Sequence, residues 1–117
     1  MCEPLGPHVR ENEKVTGGYT ISTDWDDEKA DANVAKHGVT FKLAATVFDD
    51  ALALTMYDPD HSEDEHRWIT IGRAENGTVL LVVHTAIESA LNRIDVRIIT
   101  ARRPTKSELR DYKENPQ

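Results

Sequence analysis

Between Asp58 and Trp68 the chain reads DPDHSEDEHRW. Asp58, Asp60, His61, Glu63, Asp64, Glu65 and His66 can each bind a cation or carry a proton, and Arg67 follows at once. A calcium loop would need glycine at its sixth position and glutamate at its twelfth. Counted from Asp58, those positions hold Glu63 and Ile69. His61 and His66 lack the spacing of a two-histidine metalloprotease helix. Cys2 is the single cysteine, so no intrachain disulfide can form, and no zinc-ligand pattern is present. No metal and no cofactor are expected. A solvated loop beside a sheet edge is the commonest state of such a run. Phosphate chemistry is the sharper reading. Glu65 and Arg67 are two apart, so pleating puts both on one face of a strand. A guanidinium grips phosphate oxygens in pairs, and histidine changes charge near neutral pH.

A second set of cations lies near the end of the chain. RIDVRIIT alternates, with Ile94, Val96 and Ile98 on one face and Arg93, Asp95 and Arg97 on the other. Arg102 and Arg103 follow. If the strand carrying Arg67 approaches this one, Arg67 and Arg97 form a small cationic patch with His61 close by.

The elements that must position these groups are legible in outline. Residues 1–18 are polar, contain two prolines and end in Gly17-Gly18, which reads as a flexible tail. Tyr19 to Ser22 is a short β-prone edge strand. From about Asp26 to His37 the chain is acidic at its start, basic at its end and followed by Gly38, as a capped helix requires. Lys36 and His37 close that helix, Asn33 is expected to be a buried hydrogen-bonding residue, and Trp25 and Trp68 are expected in the core. Thr40 caps a second short helix. ALALTMYD, RWITIG and VLLVVHT read as strands, with a hairpin turn at Asn76-Gly77. AIESALN is a connection of undecided form. After Pro104, Thr105 and Glu108 make a capping box for a helix from about Lys106 to Glu114. The order β-α-α-β-β-β-β-α describes an α+β domain over residues 19–117, with helices on an antiparallel sheet.

Composition narrows the function. The 117 residues suit one domain. There is no signal peptide and no membrane-length apolar run, so a cytoplasmic protein is expected. Net charge is −7, but unevenly placed. Residues 1–92 hold 7 Lys/Arg against 17 Asp/Glu, a balance of −10; residues 93–117 hold 7 against 4, a balance of +3. The end of the chain can therefore face phosphates, while the remainder suits a basic partner.

Three blocks carry a resemblance: WDDEKADANVAKHGVTFKLAATVFDD, YDPDHSEDEHRWITIG and VRIITARRPTKSELRDY. In this order, over about Tyr19 to Tyr112, the chain resembles the BrnT family of ribonuclease toxins. The resemblance implies a RelE-like fold, RNA cleavage that inhibits growth, and a complex with a DNA-binding antitoxin of the BrnA kind. Lys36 and His37 match the family's KHG block, His61, Glu65 and Arg67 its HSEDE.R block, and Arg97 and Arg102 its RII.AR block. Tyr112 matches a tyrosine near the chain end. Thr100 and Pro104 depart from the family's usual serine and alanine.

Under that resemblance the expected reaction is metal-independent. The ribose 2′-hydroxyl attacks the adjacent phosphate, a base removes its proton, cations hold the developing charge and an acid protonates the leaving 5′-oxygen. Arg67 and Arg97 are expected at the phosphate. His61 and Glu65 are open alternatives for base and acid. Lys36, Arg102 and Tyr112 are expected to hold the RNA backbone or stack a base. The rival readings are a non-catalytic module that only engages the antitoxin, and a metal-dependent hydrolase using the acidic run.

Overall fold

The computed structural model describes residues 9–16, 19–59 and 66–114. Six strands form one sheet: β1 (Val9–Thr16), β2 (Tyr19–Asp26), β3 (Leu54–Asp58), β4 (Arg67–Arg73), β5 (Val79–Ala90) and β6 (Arg93–Arg102). Their order across the sheet is β1-β2-β6-β5-β4-β3. The helices are α1 (Asp27–His37), α2 (Phe41–Ala45), which runs into a 3₁₀ turn at Thr46–Asp49, and α3 (Lys106–Glu114).

Three expectations change here. The sheet is mixed rather than antiparallel, because β2 runs parallel to β6. The chain crosses from β2 through both helices and a meander before β6 returns beside it. The stretch Val9–Thr16, expected within a tail, instead pairs with β2 from Val9↔Asp26 to Thr16↔Tyr19, so the run from Tyr19 is internal rather than the edge strand expected. The signal for that hairpin is the Gly17-Gly18 pair between the two runs.

The local signals for the helices act as expected. The Asp26 carboxylate accepts from Glu28 N at 2.8 Å, and Gly38 (φ +70°) closes α1 by donating its N–H to the Val34 carbonyl. Thr40 caps α2 by accepting from Leu43 N at 3.1 Å. At α3 the box is reciprocal: Thr105 N donates to Glu108 Oε1 at 2.8 Å, and Glu108 N donates to Thr105 Oγ1 at 3.2 Å.

Each face of the sheet has its own core. On one face, Trp25, Phe41, Val47, Leu80, Val82, Ile98 and Ala101 pack with the α1–α2 layer. Asn33 anchors that layer, its Nδ2 donating to the Val39 and Ala101 carbonyls and its Oδ1 accepting from Ala101 N. On the other face, α3 seats Tyr112 and Leu109 on Ile69, Ile71, Leu81 and Val83. α3 covers only the part of its face around those residues.

The undecided connection proves to be strand. β5 continues through Ala90, and the chain turns at Asn92 (φ +60°), a residue that tolerates the left-handed region. The register between β5 and β6 shifts at Val83/His84. That shift explains why Val96, Ile98 and Ala101, which do not share one parity, are all buried.

Candidate active site

Residues paired directly across neighbouring strands present their side chains to the same face. Asp24 of β2 pairs with Arg97 of β6, and Arg97 pairs with Thr85 of β5. Trp68 of β4 pairs with His84, so Arg67 falls next in line with Thr85. Arg67 in turn pairs with Asp58 of β3. One row therefore crosses five strands as Asp24, Arg97, Thr85, Arg67 and Asp58. It lies on the face that carries α3, beyond the part that the helix covers. Two strand spacings separate the Arg67 and Arg97 backbones, about 10 Å. Thr85 forms a nearly buried floor between them, 7% exposed.

The charges in this row are organised. Arg97 Nε donates to Asp24 Oδ1 at 3.1 Å. The arginine side chain is 54% exposed and the aspartate 20%. A carboxylate at Nε leaves the two terminal nitrogens of the fork, which can bind phosphate oxygens as a pair. Arg67 is half-buried at the start of β4. The row thus sets two cations on one face beside a threonine, with a carboxylate at either end. Such an arrangement can hold a phosphodiester and stabilise charge developing on it.

The other expected site residues are not gathered there. Lys36 is exposed in the last turn of α1, in the helical layer on the opposite face of the sheet. Arg102 and Tyr112 share the arginine face but serve the docking of α3. Arg102 grips Glu108 with both terminal nitrogens, at 2.9 and 3.0 Å. That contact holds the Glu108 carboxyl at about 2, against the smaller opposing effect of burial. Tyr112 is 7% exposed, too buried to stack a base. Its hydroxyl donates to Asp50 Oδ2 at 2.6 Å. Burial raises the Asp50 pKa, but the hydrogen bonds from Tyr112, Arg73 N and Leu52 N outweigh it and hold the carboxyl below its ordinary value. The Tyr112 hydroxyl is pushed up by burial and by Asp50. His61 and Glu65 lie outside the described residues.

The expected core residues divide. Trp25 is buried against the edge of Phe41. Trp68 is half-buried and meets Tyr57 edge-on at 5.1 Å. Tyr57 also hydrogen-bonds His66 Nδ1 at 2.8 Å.

A family model for the ribonuclease toxin BrnT of type II toxin–antitoxin systems matches residues 25–108. The chain belongs to the BrnT family. The matched span takes in Arg67, Arg97 and Arg102, and leaves out β1 and Tyr112. Among solved structures, the chain is similar to the BrnT ribonuclease toxin of Brucella abortus. That similarity is 21% identity over 70% of this chain and 94% of the other, with a TM-score of 0.48. No curated protein matches the chain. No helix among the described residues is long and apolar enough to cross a membrane.

Two contributors to this region were not found from sequence. Asp24 meets Arg97 only through the parallel β2–β6 pairing, which joins residues 73 apart in the chain. Thr85 reaches the row only through the β5 register. Neither carries a local signal.

Proposed function

We propose that this BrnT-family chain is an endoribonuclease that works without a metal, and that the arginine row is where it holds the scissile phosphate. The observation that carries the reading is the placement of Arg67 and Arg97 on one face, either side of Thr85. The 2′-hydroxyl attacks phosphorus, the 5′-oxygen leaves, and the products are a 2′,3′-cyclic phosphate and a 5′-hydroxyl. Arg67 and Arg97 stabilise the charge that builds on the non-bridging oxygens. Asp24 keeps Arg97 oriented through Nε. A base takes the 2′ proton and an acid returns one to the leaving oxygen. His61 and Glu65 are the candidates for both tasks, since the chain that carries them joins the cross-strand partners Asp58 and Arg67.

A type II toxin family also implies an antitoxin protein. The partner proposed here is a small DNA-binding antitoxin of the BrnA kind, in a hetero-oligomer that keeps RNA from the row. The acidic balance of residues 1–92 favours a partly basic partner by complementary potential.

The test is incubation of purified protein with RNA, with and without EDTA, followed by analysis of the product ends. Cleavage in EDTA with cyclic phosphate ends is the expected result. Cleavage abolished by EDTA would instead support a metal-dependent hydrolase. No cleavage in either condition would leave a binding module that engages only the antitoxin.

A further inference from the structure

At the far end of the face that carries Arg67 and Arg97, a groove of about 310 Å³ opens between α3, the β4–β5 turn and the end of β6. Its cations are Arg73, Arg103 and Lys113, and its apolar floor is Val79, Pro104 and Leu109. A second groove of about 300 Å³ shares Leu109 and Lys113 with the first and adds Lys106 and Arg110. Glu114 is the one carboxylate among the described residues lining either groove. Five cations therefore border two grooves that share Leu109 and Lys113, on a protein whose net charge is −7.

The spacing of these cations is informative. Lys106, Arg110 and Lys113 stand at i, i+4 and i+7, on one stripe of α3. Like charges so spaced repel one another in an isolated helix. A polyanion laid along the stripe would relieve that repulsion. The steps between them, about 4.5–6 Å along the axis, suit a ligand with regularly repeated charge. Position along the sheet adds to this. Arg67, Ile69, Ile71 and Arg73 alternate on one face of β4, so Arg73 sits roughly 20 Å from Arg67 along a single strand. The apolar floor can take a ribose or a base edge between phosphate contacts.

We propose that this double groove is a secondary binding track for the phosphate backbone of single-stranded RNA. It would hold nucleotides a few positions away from the bond cut at the arginine row. The proposal rests on the ribonuclease reading for the identity of the polyanion, but it concerns binding rather than cleavage.

The test measures binding without turnover. The probe is a 2′-O-methyl oligoribonucleotide long enough to span row and track, which cannot react through its 2′-oxygen. Its affinity for the full chain is followed by fluorescence anisotropy across a salt series. The variant is Arg110→Gln with Lys113→Gln. The control is Lys29→Gln with Lys42→Gln, which removes the same charge from the helical layer on the opposite face. Melting curves verify that both variants fold. Each phosphate contact to a single strand adds about 0.7 to the slope of log K against log salt. The track variant should therefore lose about 1.4 from the slope, and the control should keep the wild-type slope. An unchanged slope in the track variant, an equal loss in the control, or no binding by the wild type would each overturn the proposal. Polyglutamate is run as a competing ligand. If it binds at the track and the RNA does not, the groove belongs to an acidic protein and the proposal fails. Because the probe cannot be cleaved, loss of the track and loss of the ribonuclease reading remain separate results.

Discussion

His84 is 2% exposed and sits beside the arginine row, one residue before Thr85 in β5 but facing the helical layer. Its Nδ1 lies 3.1 Å from the Thr85 carbonyl, and its Nε2 lies 2.7 Å from Thr70 Oγ1. A carbonyl only accepts, so Nδ1 carries the proton and Nε2 accepts from the Thr70 hydroxyl. Thr70 then accepts from Thr55 at 2.9 Å. Burial depresses the His84 pKa from 6.5 to about 4, against a smaller upward effect of the Thr85 carbonyl. The folded state therefore favours neutral imidazole. Its contribution to stability is complete above about pH 6.5 and is lost as pH falls toward 4. The loss is on the order of 3 kcal/mol. Urea titrations at a series of pH values should show it in the wild type and not in His84→Gln. The same loss in both proteins would remove His84 from the account. Glu108 titrates in a lower window, its contribution complete above about pH 4.5 and lost toward 2. The two effects are therefore separable.

At the scale of elements, Tyr112 and Arg102 tie α3 to the rest of the fold. Tyr112→Phe should cost about 1.5–3 kcal/mol, the range for a hydrogen bond to a charged group. It should leave RNA cleavage unchanged, because the ring lies under α3 and away from the row. A melting temperature equal to wild type would contradict the first statement, and a loss of cleavage the second. Gly72 tests the packing on the other face. A Cβ there would stand 2.8 Å from Val47 Cγ1 and 3.2 Å from the Val47 carbonyl oxygen. Gly72→Ala should therefore destabilise by about 1–3 kcal/mol through overpacking, read from the shift in urea midpoint. Elements such as these were legible where the determinant is local. The Asp26 and Thr40 caps, Gly38, the Asn76-Gly77 turn and the Thr105–Glu108 box are each written within a few residues. The parallel β2–β6 pairing was not legible, because it joins distant segments and leaves no short-range pattern. Val9–Thr16 is polar in composition, which hides its strand, and the Gly17-Gly18 pair is its one local signal. Likewise, Arg67 and Arg97 could be named as cations on strands. Their shared face depends on registers through β5 that no single segment encodes, and the contacts of Arg102 with Glu108 and of Tyr112 with Asp50 form only once α3 docks.

Over the whole molecule, the sheet separates two tasks. One face packs the α1–α2 layer, and the other carries α3, the arginine row and the basic grooves. The strand β1 lies outside the span shared with the family, at the sheet edge beside β2. Deleting residues 1–18 should leave a folded chain with β2 as an uncovered edge, a state prone to pairing with other copies. Sedimentation should then show concentration-dependent self-association that the full chain lacks; identical behaviour would mean that β1 does not protect that edge. The central claim concerns the uncovered end of the α3 face, and the rate of RNA cleavage tests it most directly. Single-turnover rates should be measured for Arg67→Ala and Arg97→Ala alongside their melting curves. Loss of one charge-stabilising donor is worth about 2.7–4 kcal/mol, or roughly 10²–10³ in rate. The account predicts a fall of that size in each variant with the fold intact; wild-type rates in both would contradict it.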